Sequence, residues 1–160
     1  MVSFPQVFCA NQQDSFWSDP LGKGYDSADS FKNEISIARS VLHTEEGQTV
    51  RVGVGFIVWL LEKDPSKAEE LISLALENRV QAIWLSFGQD IGRWVRYIRE
   101  HDPRAGSKEA VKIFIQLSTV QELKVAISEW NADVIVVQGL RHFKIHQSCF
   151  ADFLFILHRR

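Results

Sequence analysis

Four short apolar runs in this chain end on residues suited to holding a ligand. Residues 50–59 (VRVGVGFIVW) contain Gly53 and Gly55, 82–88 (AIWLSFG) close on Ser86 and Gly88, 112–118 (KIFIQLS) on Gln116 and Ser118, and 133–139 (DVIVVQG) on Gln138 and Gly139. A glutamine amide both donates and accepts hydrogen bonds, as does a serine hydroxyl. Glycine inside a strand weakens it unless a ligand or another backbone comes close. Residues of these types line and orient a ligand. Each also has a plainer reading: Ser118 as a helix N-cap, Gln138 as an amide bonding local backbone, Gly55 as a glycine in a crowded core.

Groups that attack bonds or hold metals are not arranged to do so. His43 and His101 fall near predicted helix C-termini, where a partly charged imidazole interacts well with the dipole, and His142, His146 and His158 lie near the end of the chain. No H-E-x-x-H or other metal spacing occurs. Cys9 and Cys149 stand at opposite ends of the chain, which is neither a disulfide framework nor a ligand pair. Cys149 sits in an apolar context that does not favour a thiolate nucleophile. Trp59, Trp84, Trp94 and Trp130 are spaced as core residues.

The elements that must carry the strand-end residues follow from periodicity. A run of continuous Val, Ile, Phe and Trp is buried on both faces, the habit of parallel strands between helices. A helix starts after Asp29 or Ser30, carries Phe31, Ile35, Ala38, Val41 and Leu42, and is ended by Gly47. Asp64-Pro65 opens a second helix, with Ala68, Leu71, Ile72, Ala75 and Leu76 as its apolar stripe. A third, over 89–101, turns Ile91, Trp94, Val95 and Ile98 inward, with Arg93, Arg96, Arg99 and Glu100 toward solvent. Ser118 or Thr119 caps a fourth, with Val120, Leu123, Ala126, Ile127 and Trp130 at helical spacing. Strands joined by helical crossovers must pair in parallel, so the fold class is α/β. Both an open doubly wound sheet and a barrel fit that order. No G-x-G-x-x-G or G-x-x-x-x-G-K-[ST] follows any strand, which favours the barrel. In either, ligands bind beyond the carboxyl ends of the strands.

Composition bounds the rest. The chain has 160 residues, is 46% hydrophobic and carries a net charge of −2. That predicts one globular domain or part of a larger one, and gives no electrostatic case for nucleic acid or an anionic membrane surface. Cysteine usage points to a reducing compartment, no run reaches the ~18 apolar residues of a membrane span, and the first residues do not form a signal peptide. The expected setting is soluble and cytoplasmic. Residues 1–28 read as an irregular lead-in, 29–139 as the α/β domain, and 140–160 (LRHFKIHQSCFADFLFILHRR) as a tail that breaks the pattern, with an apolar stretch at 149–157.

The runs VGVGFIVW, AIWLSFG, VKIFIQLSTVQE and ADVIVVQG, in this order, resemble successive strands of the nitronate monooxygenases, or 2-nitropropane dioxygenases. The helix FKNEISIARSVLH resembles the one that precedes their GVGF strand. The resemblance covers roughly residues 29–139 and implies part of a (β/α)8 TIM barrel, about half of it. It further implies a flavin oxidoreductase that uses FMN and O2 to oxidise alkyl nitronates. Gln138 matches a flavin-contacting glutamine, Gly55 a position where many members have a flavin-contacting asparagine, and Ser86, Gln116 and Gly139 would line the same mouth. In the family the VQG ending is followed by x-E-A-G-G-H, whose glycines approach the flavin phosphate and whose histidine is the catalytic base. Here Leu140-Arg141-His142-Phe143-Lys144-Ile145 follows, so Ile145 occupies the histidine position, and His142 and His146 are out of register. The resemblance therefore implies a truncated and inactive member with no catalytic residue assigned. Its open strand edges would promote self-association. The alternative is a non-catalytic α/β fragment serving in binding or assembly, or an unrelated small α/β binding domain.

Overall fold

The computed structural model describes residues 28–138 and the backbone of a short strand at 153–157. Gly139, Ile145, His142, His146, both cysteines and the lead-in lie outside the described residues, and of Gln138 only the backbone is described. In chain order the elements are α1 (Ala28–Val41), β1 (Val50–Ile57), α2 (Val58–Lys63), α3 (Pro65–Glu77), β2 (Val80–Ser86), α4 (Ile91–His101), β3 (Lys112–Leu117), α5 (Val120–Glu129), β4 (Val134–Gln138) and β5 (Phe153–Leu157). They form one sheet in the order β1-β2-β3-β4-β5. The first four strands are parallel neighbours, and β5 runs antiparallel to β4. The protein is thus α/β, with a four-stranded parallel sheet alternating with helices.

The helices gather on one side of this sheet. The main core joins Val54, Ile83, Leu85, Ile113, Ile115 and Ile135 of the strands to Phe31, Ile35, Ile72, Leu76, Trp94, Val95 and Ile98 of the helices. A second, smaller cluster holds strand residues alone: Ala82, Phe114, Val134 and Val136, with Trp84 packed against them. The central strands β2 and β3 are therefore largely apolar and buried on both faces, whereas the helix-free face of β1 is open at Gly55.

Caps fix where the helices begin. Asp64 accepts from the Lys67 N–H at 3.1 Å, with Pro65 in the first turn of α3. Asp90 accepts from the Arg93 N–H at 3.0 Å, opening α4. Thr119 and Glu122 form a reciprocal capping box on α5, which settles the choice between Ser118 and Thr119. Gly92 lets α4 approach the Trp130 indole, because a Cβ there would fall on the ring.

Several expectations are corrected. The run 50–59 is not one strand: pairing stops at Ile57, and Val58–Lys63 turns directly into α2. Trp59 is consequently 40% exposed rather than core, with the Lys63 ammonium 4.4 Å above its ring. Helix α1 ends at Val41, well before Gly47, which sits at φ +80 in a later turn. Val120 and Ile127 of α5 are exposed, leaving Ala126 as its buried residue. Arg99 does not face solvent freely, because it bonds the Asn131 and Val111 carbonyls and the Asp133 carboxylate. The apolar tail supplies β5, so the edges of the described sheet are β1 and β5, and β4 is covered.

Candidate functional site

Parallel register sets the expected rim residues on successive levels of one face. Gly55 pairs with Trp84, Trp84 with Phe114, and Phe114 with Val134. One level on, Ile57 pairs with Ser86, Ser86 with Gln116, and Gln116 with Val136. Gln138 is two residues beyond Val136 and closes β4 opposite Phe153. Alternation along a strand puts Gly55, Trp84, Ser86 and Gln116 on the face away from the helices; of Gln138 only the backbone position at the end of β4 is described. Ser86 and Gln116 are thus register partners at the carboxyl ends of adjacent strands. Gly55 lies a level deeper, and Gln138 a level further out.

Around that face the side chains are closely fitted. Ser86 and Gln116 are 7% and 8% exposed. The Trp84 indole N–H donates to Gln116 Oε1 at 3.2 Å, which sets the orientation of the amide. Trp84 also stacks on Phe114, with ring centroids 5.7 Å apart and planes 10° from parallel. Beyond packing against the smaller apolar cluster, Trp84 organises the helix-free face. The signal was present in the alternation Ala82, Trp84, Ser86, which sets Trp84 apart from Ile83 and Leu85. Gly55 is exposed, and a Cβ there would meet no heavy atom of the described residues within 4 Å, so among them the space over β1 is open and crowding does not explain the glycine.

The loops at the carboxyl ends are locked by carboxylates of the chain itself. Glu62 Oε1 accepts from both the Gln89 and Asp90 N–H groups at 2.8 Å. Glu122 Oε2 accepts from the Ser118 and Thr119 N–H groups at 3.3 and 3.0 Å. The Trp59 N–H donates to the Phe87 carbonyl at 2.9 Å, tying α2 to the β2–α4 loop. Phe87 holds φ +55, a left-handed conformation unusual for an aromatic residue, and remains half exposed. Gly88 permits this turn, because a Cβ there would overlap the Val58 side chain.

Away from the rim, Asp102 and Arg104 form a buried ion pair at 3.0 Å under β2 and β3. Burial works against the Asp102 carboxylate. Bonds from the Val111 N–H at 2.7 Å and from Arg104 outweigh it and hold the carboxyl below its ordinary range. Among the described residues no group of three or more His, Cys, Asp or Glu is placed to hold a metal ion. No described helix is long and apolar enough to cross a membrane. Comparison with protein-family models, with curated proteins and with solved structures gives no match for the chain.

Proposed function

We propose that the chain is a flavin-barrel half-unit of the nitronate monooxygenase type that has lost turnover and keeps only a weak affinity for FMN. The observation that supports this most is the strand order. Consecutive parallel neighbours with helices packed on one face are the arrangement of (β/α)8 barrels, whereas doubly wound sheets reverse direction at a switch point. On that reading, the helix-free face with Gly55, Trp84, Ser86 and Gln116 is the inside of the barrel, and its mouth lies where β4 ends at Gln138.

The described residues suit the ring of a flavin and do not suit its phosphate. Open space over Gly55 admits a planar ring against backbone. The glycines that approach the phosphate in the resembled pattern follow the VQG ending, where Leu140-Arg141-His142-Phe143 stands here, and the nearby loop N–H groups of Gln89, Asp90, Ser118 and Thr119 are already bonded to Glu62 and Glu122. Bound FMN would supply the redox chemistry of nitronate oxidation, and the protein would have to supply a base. Ile145 occupies the position of that base in the related pattern, and no catalytic step is assigned to this chain.

Fluorescence titration of FMN against the purified protein tests the reading, together with its visible spectrum and oxygen uptake with an alkyl nitronate and added FMN. Weak, saturable quenching with no oxygen uptake is expected. Absence of any saturable quenching removes the flavin reading. A yellow protein that consumes oxygen overturns the loss of turnover and points to His142 or His146 as the base.

A further inference from the structure

At the opposite end of the sheet, where the parallel strands begin, a cavity of about 850 Å³ opens among the α1–β1 loop, the start of β2 and the loop before β3. Its size is within the range of small-molecule sites. Four cations line it, Arg51, Arg79, Lys108 and Lys112, against one carboxylate, Glu109. That concentration of positive charge is local, because the chain as a whole carries −2.

The cations are only partly neutralised. Glu109 is bonded to Arg79 at 2.8 Å. Asp133 stands 3.4 Å from Lys112, but it is held more tightly by Arg99 at 2.6 Å and also accepts from the Ile113 N–H. Arg51 and Lys108 are exposed and make no ion pair among the described residues. The carbonyl-rich ends of α1 and α3 face this region and would repel an anion. Arg39 covers that side, donating to the Glu45, Gln48 and Asn78 carbonyls at 2.8, 3.3 and 2.9 Å.

Backbone irregularities meet at the same place. Val50 pairs with Val80 and Gly53 with Ala82, so β1 carries one extra residue there, and this bulge includes Arg51 opposite Gln81. Bulges re-aim side chains and recur beside functional sites. His43 and Arg79, two of the three described non-glycine residues with positive φ (49 and 56), both line the cavity. Glycine would end either helix with less strain, yet side-chain-bearing residues stand there.

We infer that this cavity binds a small molecule bearing a diphosphate or comparable multiply charged phosphate group, at a site separate from the carboxyl-end rim. Arg51 and Lys108 supply the unpaired charges, and Arg79 a guanidinium already oriented by Glu109.

Isothermal titration of the full chain with inorganic pyrophosphate, and separately with ADP, tests the site. Saturable binding of either probe is expected, weakened at least tenfold in Arg51→Ala and in Lys108→Ala and reduced by added KCl. Arg93→Ala, which removes a cation from the exposed side of α4, should leave the affinity unchanged. Both Arg51 and Lys108 are exposed, and circular dichroism of their variants should match the wild type. No saturable heat with either probe overturns the inference. So does equal affinity in the Arg51→Ala/Lys108→Ala double variant, or an equal loss in Arg93→Ala. The outcome is independent of FMN binding at the other end of the strands.

Discussion

Single residues of the chain divide into those whose chemistry is used up inside the fold and those whose chemistry is left for a ligand. Asp102 is of the first kind. Its carboxylate receives the Val111 N–H, the Arg104 N–H and the Arg104 Nε, while Arg104 also reaches the Val80 carbonyl at 3.1 Å. Asp102→Asn leaves the buried guanidinium uncompensated and should cost about 3–5 kcal/mol at neutral pH. The carboxyl titrates below its unfolded value, so its contribution is present above about pH 4 and is lost as pH falls through the folded value. Urea unfolding should therefore show a large gap between wild type and Asp102→Asn at pH 7 that narrows at pH 3, and a constant gap would contradict this account. Gly55 is of the second kind. Its backbone is ordinary and its surroundings open, so Gly55→Val should stabilise β1 by about 0.5–1 kcal/mol. The same substitution should abolish FMN quenching. A variant that is more stable and still quenches FMN would move the ring contact away from β1.

Among the elements, α4 shows how far pattern alone carries. Ile91, Trp94, Val95 and Ile98 were legible as its inward face because the spacing of three and four leaves no other choice, and all four are buried. Gly92 was not legible, because its reason lies in Trp130, which arrives from the end of α5. Gly92 stands in the first turn of α4, where alanine gains less than the about 1 kcal/mol of a helix interior, and overlap with the indole should cost about 1–3 kcal/mol, so Gly92→Ala is expected to destabilise. Trp130→Leu should restore much of that loss in the double variant, as thermal melts of the four proteins would reveal through a favourable coupling. The boundary between β1 and α2 was illegible for a different reason. VGVGFIVWLL is apolar throughout, so it satisfies both periods, and only the bond between Trp59 and Phe87 and the Glu62 clamp show where the chain changes conformation. At the candidate rim, Ser86 and Gln116 could be read from strand-end polarity. The Trp84 bond that orients Gln116 depends on lateral register, which no local pattern encodes.

For the whole molecule, a sheet that runs from β1 to β5 without closing leaves the outer side of β1 as a row of backbone groups without a strand partner among the described residues. Such an edge is a template for another strand, and charge on the edge is how folds commonly blunt it. In β1 the central stretch Val52–Ile57 carries no charged side chain, and Arg51 stands at the bulge outside it. Edge-to-edge pairing of two chains through β1 would extend the sheet with backbone hydrogen bonds, a contact only weakly sensitive to salt. Sedimentation velocity over rising concentration should accordingly show species heavier than the 18.3 kDa chain, persisting in added KCl. Gly55→Lys sets a charge on this strand where a side chain meets no neighbour among the described residues, and should return the protein to monomer without loss of helical circular dichroism. A wild-type chain that sediments as a monomer at every concentration would remove β1 as an association surface. Association that survives Gly55→Lys would instead assign it to β5, the other edge of the described sheet.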